Sequence, residues 1–242
     1  MIGAWIAKLR GRSTAFPPLA PETPFYAIGD IHGRADLLNR ALDQLPTADP
    51  IICVGDYIDR GENSAEVLRL LHARRDIKCL MGNHEEMLLN YLDDPARHGP
   101  RWLRYGGLQT LASFGVSGVT ETSPPNRLLA ARDALVAAMG PDLITWVRTL
   151  PLSFCSGNVA VVHAAADPKI AMQDQIKQHL LWGHPEFNKV QRQDGIWIVH
   201  GHTIVDSATA SNGRIAIDTG AYATGKLTIA QIGPDSVSFV SA

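Results

Sequence analysis

Gly55-Asp56-Tyr57-Ile58-Asp59-Arg60-Gly61 is the second of three polar stretches that each follow a short apolar run in this sequence. The other two are Gly29-Asp30-Ile31-His32-Gly33 and Gly82-Asn83-His84-Glu85. The apolar runs, at 25–28, 50–54 and 77–81, have the length of buried strands, and the segments between them show helical periodicity. Strands that alternate with helices form parallel sheets, in which ligands bind beyond the carboxyl ends of the strands. The sequence therefore predicts that Asp, His and Asn side chains from these loops meet at one sheet edge and form a metal site.

Two later histidines extend this pattern. His163 and His202 also come after apolar runs, as His32 does. The whole set, in this order and spacing, resembles the phosphoprotein-phosphatase branch of the calcineurin-like metallophosphoesterases, in particular the bacterial and bacteriophage-lambda type serine/threonine phosphatases. The resemblance extends from about Phe25 to near the C-terminus. It implies an α/β fold with a central β-sandwich of two mixed sheets flanked by helices, a dimetal site at the sheet edge and a helical cap.

The resemblance also implies the metal ligands. One cation would be held by Asp30, His32 and Asp56, and the other by Asp56, Asn83, His163 and His202. Asp56 is the natural bridge, because two cations about 3.5–4 Å apart need a carboxylate in common. The expected cofactors are two divalent ions, Mn²⁺ first, although the ligand set also suits Fe and Zn²⁺.

The same resemblance suggests how a phosphate ester would be hydrolysed. The nucleophile would be a hydroxide that bridges the two metals, so that no side chain becomes phosphorylated. His84 would be the general acid for the leaving oxygen, because it directly follows a metal ligand. Asp59 would bind the other nitrogen of that imidazole, and Arg60 would bind the phosphate oxygens with a bidentate guanidinium.

Two departures from the family pattern affect the expected substrate contacts. Ala165 stands where the family usually has a glycine, so the loop backbone there must avoid positive φ or adopt it at some energetic cost. His184, in Leu181-Trp182-Gly183-His184, stands where the family has a second phosphate-binding arginine. We expect His184, or Arg101 or Arg104 from the cap, to replace that arginine. We read His98 and His179 as surface residues.

Composition and charge argue against a nucleic-acid-binding or membrane-spanning protein. The chain has 242 residues and a net charge of −2, which argues against a broad nucleic-acid surface. It has no apolar run that would span a bilayer, and we expect no stable membrane association. Its three cysteines, Cys53, Cys79 and Cys155, look like buried thiols of a reducing compartment, which indicates a cytoplasmic protein. The pattern leaves the oligomeric state open.

The domain organisation expected from these features is simple. Residues 1–24 form an N-terminal leader and a Pro-rich linker, and residues 25–242 form the metallophosphoesterase domain with a helical cap insertion at about 93–151. We expect helices at about 100–114 and 126–150 within that insertion, and strands at 158–162, 196–199, 215–217, 227–232 and 236–240 after it.

Three functions are compatible with the sequence. The first is hydrolysis of phosphomonoesters, with phosphoserine or phosphothreonine in proteins as the expected substrate and phosphorylated small molecules also possible. The second is hydrolysis of diadenosine tetraphosphate by the symmetrical route. Asp59 and Glu85 favour the first, because the tetraphosphatase branch commonly lacks that Asp and has Gly-Asn-His-Asp. The third is a catalytically inactive binding module, which the complete set of ligands disfavours.

Overall fold

The computed structural model of the chain describes residues 16–46 and 49–242. Its strands are β1 Phe25–Ile28, β2 Ile51–Cys53, β3 Ile77–Cys79, β4 Ser153–Ser156, β5 Val159–Val162, β6 Trp197–His200, β7 Thr209–Ser211, β8 Arg214–Ala216, β9 Thr228–Gly233 and β10 Ser236–Ser241. Its helices are α1 Ala35–Gln44, α2 Ser64–Ala73, α3 Asn83–Asp93, α4 Pro95–Trp102, α5 Leu108–Ser113, α6 Pro125–Met139, α7 Pro141–Arg148, α8 Lys177–Trp182 and α9 Ala221–Thr224.

The strands form two mixed five-stranded sheets. The first has the order β10-β9-β1-β2-β3 and the second has the order β4-β5-β6-β8-β7. In each sheet three adjacent strands run parallel, namely β1, β2 and β3 in one and β5, β6 and β8 in the other. The remaining strands are antiparallel: β9 pairs with β1 and with β10 in the first sheet, and β4 and β7 are the two edge strands of the second. The predicted β-sandwich flanked by helices is therefore confirmed.

The strand sequences explain the layers. Successive side chains of a strand point to opposite faces, so a strand covered on both sides is apolar throughout. In β2, Ile52 packs between the two sheets, whereas Ile51 and Cys53 pack against the helices. Behind the second sheet, a smaller apolar layer contains Leu180 of α8. The carboxyl ends of the parallel strands are thereby held in fixed positions around one edge.

The helical segment between β3 and β4 differs from the expectation. Its first part is interrupted by a π-helical turn, Leu103–Gly107, in which Gly106 has φ 115°. Its second part is broken at Gly140, which has φ 77° and is followed by Pro141, a favoured first helical residue. The sequence predicts one unbroken helix over 100–114 and another over 126–150, because apolar periodicity continues across both breaks.

Four elements were not predicted, β4, β7, α8 and α9. The strands β4 and β7 are edge strands of four and three residues that are rich in Ser and Thr, and most of their residues are partly or fully exposed. Such segments lack the apolar alternation on which strand prediction depends. Cys155 of β4 is exposed, so the prediction of three buried thiols is correct for Cys53 and Cys79 and wrong for Cys155.

The segment 16–24 packs along the second sheet. The Trp197 indole N–H donates to Pro17 O (2.8 Å), and Ala20 N–H donates to Asn158 Oδ1 (2.7 Å). Residues 1–15, which include most of the expected leader, lie outside the described residues. Among the helices of the described ranges, none is both long enough and apolar enough to cross a bilayer.

Candidate metal centre and active site

The predicted ligand loops have an unusual backbone. His32, Asp56, Asp59, Arg60 and His202 all have φ between 45° and 71°. A non-glycine residue in this left-handed region costs on the order of 1–3 kcal/mol and persists only where the surrounding structure enforces it. The strain is concentrated at the loops that the sequence analysis singled out. Ala165 does not share it, because its φ is not positive, so of the two alternatives for this loop the backbone adopts the unstrained one.

Asp56 lies at the centre of the predicted ligands. Its Oδ2 is 3.5 Å from His32 Nε2, and its Oδ1 is 3.4 Å from His163 Nε2. The side chain is buried, and the two oxygens face two separate groups of ligand atoms. Although burial opposes ionisation, the surrounding imidazoles of His163, His84 and His32 hold the pKa of Asp56 below its usual value. One charged carboxylate is thus placed between two potential cation positions.

Asn83 and two histidines form the second group. Asn83 is the first residue of α3, and its Oδ1 lies 2.8 Å from His163 Nε2 and 2.9 Å from His202 Nδ1. Asp30 reaches the same region, because its Oδ2 accepts a hydrogen bond from His202 N–H (3.0 Å). Gly201, which precedes His202, packs against Asp30, and a Cβ atom on it would lie 1.9 Å from Asp30 Oδ1. Only glycine leaves room for this arrangement.

The donor chemistry fits cations. His163 Nδ1 lies 3.2 Å from the carbonyl of Val54 and donates to it, so the neutral ring turns the lone pair of Nε2 toward Asn83 Oδ1. Burial lowers the pKa of His163 to about 4 and that of His32 to about 3, which keeps both rings neutral. A nitrogen lone pair facing oxygen lone pairs is unfavourable unless a cation lies between them.

The acidic residues support the same conclusion. Asp30 Oδ1 is buried without a hydrogen-bond partner. Burial, together with the charges of Asp218 and Asp56, raises the pKa of Asp30 well above its usual value. Crowded buried carboxylates of this kind are stabilised by coordinated cations. Asp218 also lies at this edge after β8, and the sequence analysis did not assign it to the site.

A second cluster lies beside the first. His84 Nδ1 donates to Asp59 Oδ2 (2.6 Å), and the same oxygen accepts a hydrogen bond from the Trp102 indole (3.0 Å). The Thr110 hydroxyl donates to Asp59 Oδ1 (2.5 Å). Burial opposes protonation of His84, but the charges of Asp56 and Asp59 outweigh it and raise its pKa. The π-helical turn fits here because Gly106 approaches the backbone of Arg60, where a Cβ would lie 2.6 Å from Arg60 N.

Glu85 holds the two motif loops together. It is fully buried, and its carboxylate accepts hydrogen bonds from Asp56 N–H, Tyr57 N–H and Gly82 N–H, each at 2.9 Å. Burial and the charge of Asp56 raise its pKa to about 8, against the effect of these donors. Glu85 therefore fixes the loop of Asp56 to the start of α3, a role that its position in the motif did not reveal.

Arg60 points across the mouth of the site. Its two terminal nitrogens lie 3.1 Å from His32 Nε2 and 3.3 Å from His84 Nε2. Its guanidinium stacks on Tyr222 at 4.8 Å, and the Tyr222 ring in turn packs edge-on against His32. Tyr222 was not predicted as a site residue, because it follows β8 in a helix of four residues that carries no motif.

An open pocket of about 400 Å³ adjoins Arg60. Its lining includes Arg104, Tyr105, Gln109 and Tyr222. Tyr105 is 50% exposed, and Arg104 forms an ion pair with Glu121 at 3.0 Å. The stretch 102–110 is thus the part of the helical insertion that contacts the site residues, whereas α7 packs through Trp146 against Tyr57 and His72.

The other two predicted substrate residues have different surroundings. Arg101 stacks on the ring of Trp182 at 4.8 Å, in a separate pocket of about 230 Å³ that Met87 and Asn90 also line. His184 lies beside Asp167 and His179, in a group of side chains that contains none of the motif histidines. His98 and His179, which were expected at the surface, are both partly buried, and the ring of His179 packs against that of His184.

Comparison with known proteins agrees with this geometry. A family model described as calcineurin-like phosphoesterase matches residues 23–206. Serine/threonine-protein phosphatase 2 of Salmonella typhimurium is 32% identical over 220 residues, which cover 86% of this chain and 92% of that protein. The symmetrical bis(5'-nucleosyl)-tetraphosphatase of Aromatoleum aromaticum is 32% identical over 147 residues, which cover 59% of this chain and 44% of that protein.

Solved structures share the fold. The cold-active protein-tyrosine phosphatase of a Shewanella species superposes with a TM-score of 0.57 at 17% identity, covering 92% of this chain and 83% of that one. The family match includes every motif loop from Asp30 to His202, whose side chains form the candidate metal centre described above. The chain therefore belongs to the calcineurin-like phosphoesterase family and is a hydrolase.

Proposed function

We propose that this hydrolase is a metal-dependent phosphomonoesterase whose substrates are phosphoserine and phosphothreonine residues of proteins. The observation that carries the proposal is the placement of Asp56 between two groups of ligand atoms, with His84 and Arg60 beside it. His84 Nε2 is 3.9 Å from Asp56 Oδ2 and 3.3 Å from the Arg60 guanidinium. A phosphate group bound by Arg60 would therefore lie next to both the carboxylate and the imidazole.

The cations belong to the loops already described. Asp30, His32 and Asp56 would hold one, and Asp56, Asn83, His163 and His202 would hold the other, with Mn²⁺ as the expected ion. Two such ions would supply a water molecule of lowered pKa and would neutralise charge on the phosphoryl oxygens.

The residues of the chain account for the remaining steps. Arg60 binds phosphoryl oxygens through its two terminal nitrogens and orients the ester. The attacking hydroxide, formed from that water by loss of a proton to solvent, bonds to phosphorus on one side while the ester P–O bond breaks on the other. His84 donates the proton on Nε2 to the leaving oxygen, and Asp59 holds the ring through Nδ1 and stabilises its charged form.

Trp102 and Thr110 orient Asp59. Each donates a hydrogen bond to its carboxylate, so that the carboxylate cannot rotate away from His84. Asp59 is completely buried, and its pairing with the imidazole is therefore weakly screened. This arrangement supports the role proposed for Asp59, which is to orient the imidazole of His84.

Protein substrates are favoured by two features. The mouth of the site next to Arg60 is open, so that a phosphorylated side chain on a larger surface can reach it. The Salmonella relative, which matches over most of both chains, is named as a serine/threonine-protein phosphatase.

A second candidate, a dinucleoside tetraphosphatase, is supported by the aromatic rings of the same pocket. Tyr105 is half exposed and Tyr222 lines the same pocket, so that a nucleobase could stack there. The Aromatoleum relative carries the tetraphosphatase name.

Direct comparison of kcat/KM tests the proposal. Mn²⁺-loaded protein is assayed on a phosphoserine peptide and on diadenosine tetraphosphate, with His84→Asn as the inactive control. We expect a higher kcat/KM on the peptide, and its loss in the variant. A preference for the dinucleotide that falls in Tyr105→Ala would overturn the proposed substrate class in favour of the second candidate.

A further inference from the structure

A second cluster of metal-ligating side chains lies outside the dimetal centre. Asp167, His179 and His184 each place one ligand atom so that these atoms lie within 4.8 Å of one another. Asp167 belongs to the loop after β5, His179 to α8, and His184 follows α8 directly. Ligands for one cation are thus supplied by two chain segments whose packing is already fixed, since Ala164 N–H donates to Leu180 O (2.7 Å).

Asp167 is held in a prepared position. Its backbone N–H donates to Gln175 Oε1 (2.7 Å), and its carbonyl accepts hydrogen bonds from Gln175 Nε2 (2.9 Å) and Arg192 (2.8 Å). One carboxylate oxygen, Oδ1, accepts a hydrogen bond from Lys169 N–H (2.9 Å). The other oxygen, Oδ2, faces His184 Nε2 at 3.4 Å. The second oxygen is therefore directed into the cluster.

The two histidines complete the cluster. Gly183, with φ 95°, reverses the chain after α8 and returns His184 onto His179, so that the ring centroids are 4.5 Å apart. His179 Nδ1 is buried and has no hydrogen-bond partner. A buried ring nitrogen without a partner is costly, and a cation bound to it would remove that cost.

We propose that Asp167, His179 and His184 form a third cation site that takes Zn²⁺. Two imidazoles and one carboxylate are the ligands that zinc prefers, and three protein ligands leave a position for water or an incoming group. The Asp167 side chain is 13% exposed and that of His184 11%, so an ion can enter from solvent.

Binding requires one adjustment. His184 Nδ1 accepts a long hydrogen bond from Glu186 N–H (3.3 Å). When Nε2 binds the ion, the ring proton moves to Nδ1, and this hydrogen bond is lost.

This site would connect two parts of the active-site wall. The loop that carries Asp167 begins at His163, a predicted ligand of the dimetal centre. On the other side, Trp182 of α8 donates a hydrogen bond to Glu86 of α3 (2.6 Å), the helix that begins with Asn83. An ion at the site would therefore fasten the segment around α8 next to the catalytic loops. None of its three ligands is a motif residue of the dimetal centre.

Zinc stoichiometry tests the proposal. The dimetal centre is first disabled with Asp56→Asn and His202→Ala, and the protein is dialysed against buffered micromolar Zn²⁺ and analysed for bound zinc. Into this background we add His184→Ala or Asp167→Asn, and His98→Ala as a matched histidine control outside the cluster. We expect His184→Ala and Asp167→Asn each to remove one zinc ion per chain, and His98→Ala to remove none.

The opposite results overturn the proposal. Equal zinc contents in the parent, His184→Ala and Asp167→Asn proteins would show that the cluster binds no ion. Circular dichroism confirms that each variant is folded. If the disabled background does not fold, the comparison is made between the wild type and His184→Ala in equilibrium with the same Zn²⁺ buffer, where an unchanged zinc content refutes the site and the loss of one ion supports it.

Discussion

Asp59→Asn is the change that most clearly tests the proposed role of the hydrogen-bonded pair of His84 and Asp59. The substitution keeps the size of the side chain but removes its charge. An Asn oxygen can still accept from His84 Nδ1 and Trp102, and its amide then faces the Thr110 hydroxyl, so the geometry is largely retained. The variant therefore separates the charge of Asp59 from its shape.

The expected magnitude follows from the contact. Hydrogen bonds to charged groups contribute roughly 1.5–3 kcal/mol when buried. Since 1.36 kcal/mol corresponds to one pKa unit, loss of the charge should lower the pKa of His84 by roughly 1–2 units. His84 must be protonated to act as the acid, and Asp59 raises its pKa. The basic limb of the kcat profile should therefore move to lower pH by the same roughly 1–2 units.

The assay compares two leaving groups across pH. p-Nitrophenolate leaves without a proton, whereas phenolate from phenyl phosphate needs one. We expect Asp59→Asn to reduce kcat on phenyl phosphate much more than on p-nitrophenyl phosphate. Asp76→Asn, which removes an exposed carboxylate paired with Arg74, is the control and should change neither. An equal loss on both substrates, with an unshifted basic limb, would refute proton donation by His84.

Three further predictions follow from single contacts. Trp102→Phe removes one donor to Asp59, and we expect kcat on phenyl phosphate to fall about 5- to 10-fold, in line with roughly 1 kcal/mol for one hydrogen bond, while KM stays nearly constant in steady-state assays. Gly201→Ala places a Cβ at 1.9 Å from Asp30 Oδ1 and should displace this predicted metal ligand. We expect the Mn²⁺ affinity measured by calorimetry to fall at least about tenfold, as it does when residues that position a metal ligand are changed. An unchanged affinity would contradict the described packing. Arg60→Lys keeps the charge but loses the bidentate guanidinium, and we expect KM for a phosphopeptide to rise, with inorganic phosphate a weaker inhibitor in the same assay.

The sequence was most informative where residues of a chemical motif directly follow a buried parallel strand. Asp56, Asn83 and His163 each follow a buried strand, and parallel strands bring such positions to one edge whatever the loops between them do. The fold and the cluster of ligands could therefore be predicted together. The motif around Asp59 could also be placed, because it continues directly from Asp56.

Other parts of the site were not predictable from local patterns. Asp218 and Tyr222 reach the edge only through the pairing of β8 with β6, which no motif marks. The hydrogen bond from Trp102 to Asp59 depends on a π-helical turn, which periodicity does not reveal. His179 was read as a surface residue because a short helix of six residues carries too little pattern to show its buried face.

The sharing of Asp56 is the central claim, and metal stoichiometry tests it most directly. Wild-type protein, Asp56→Asn and Asn83→Ala are equilibrated with Mn²⁺, separated from free ion and analysed for bound manganese. If Asp56 bridges two cations, the wild type should bind two, Asn83→Ala should lose mainly one, and Asp56→Asn should lose both. Retention of one manganese ion by Asp56→Asn, in a folded protein, would contradict a shared carboxylate and with it the proposed centre.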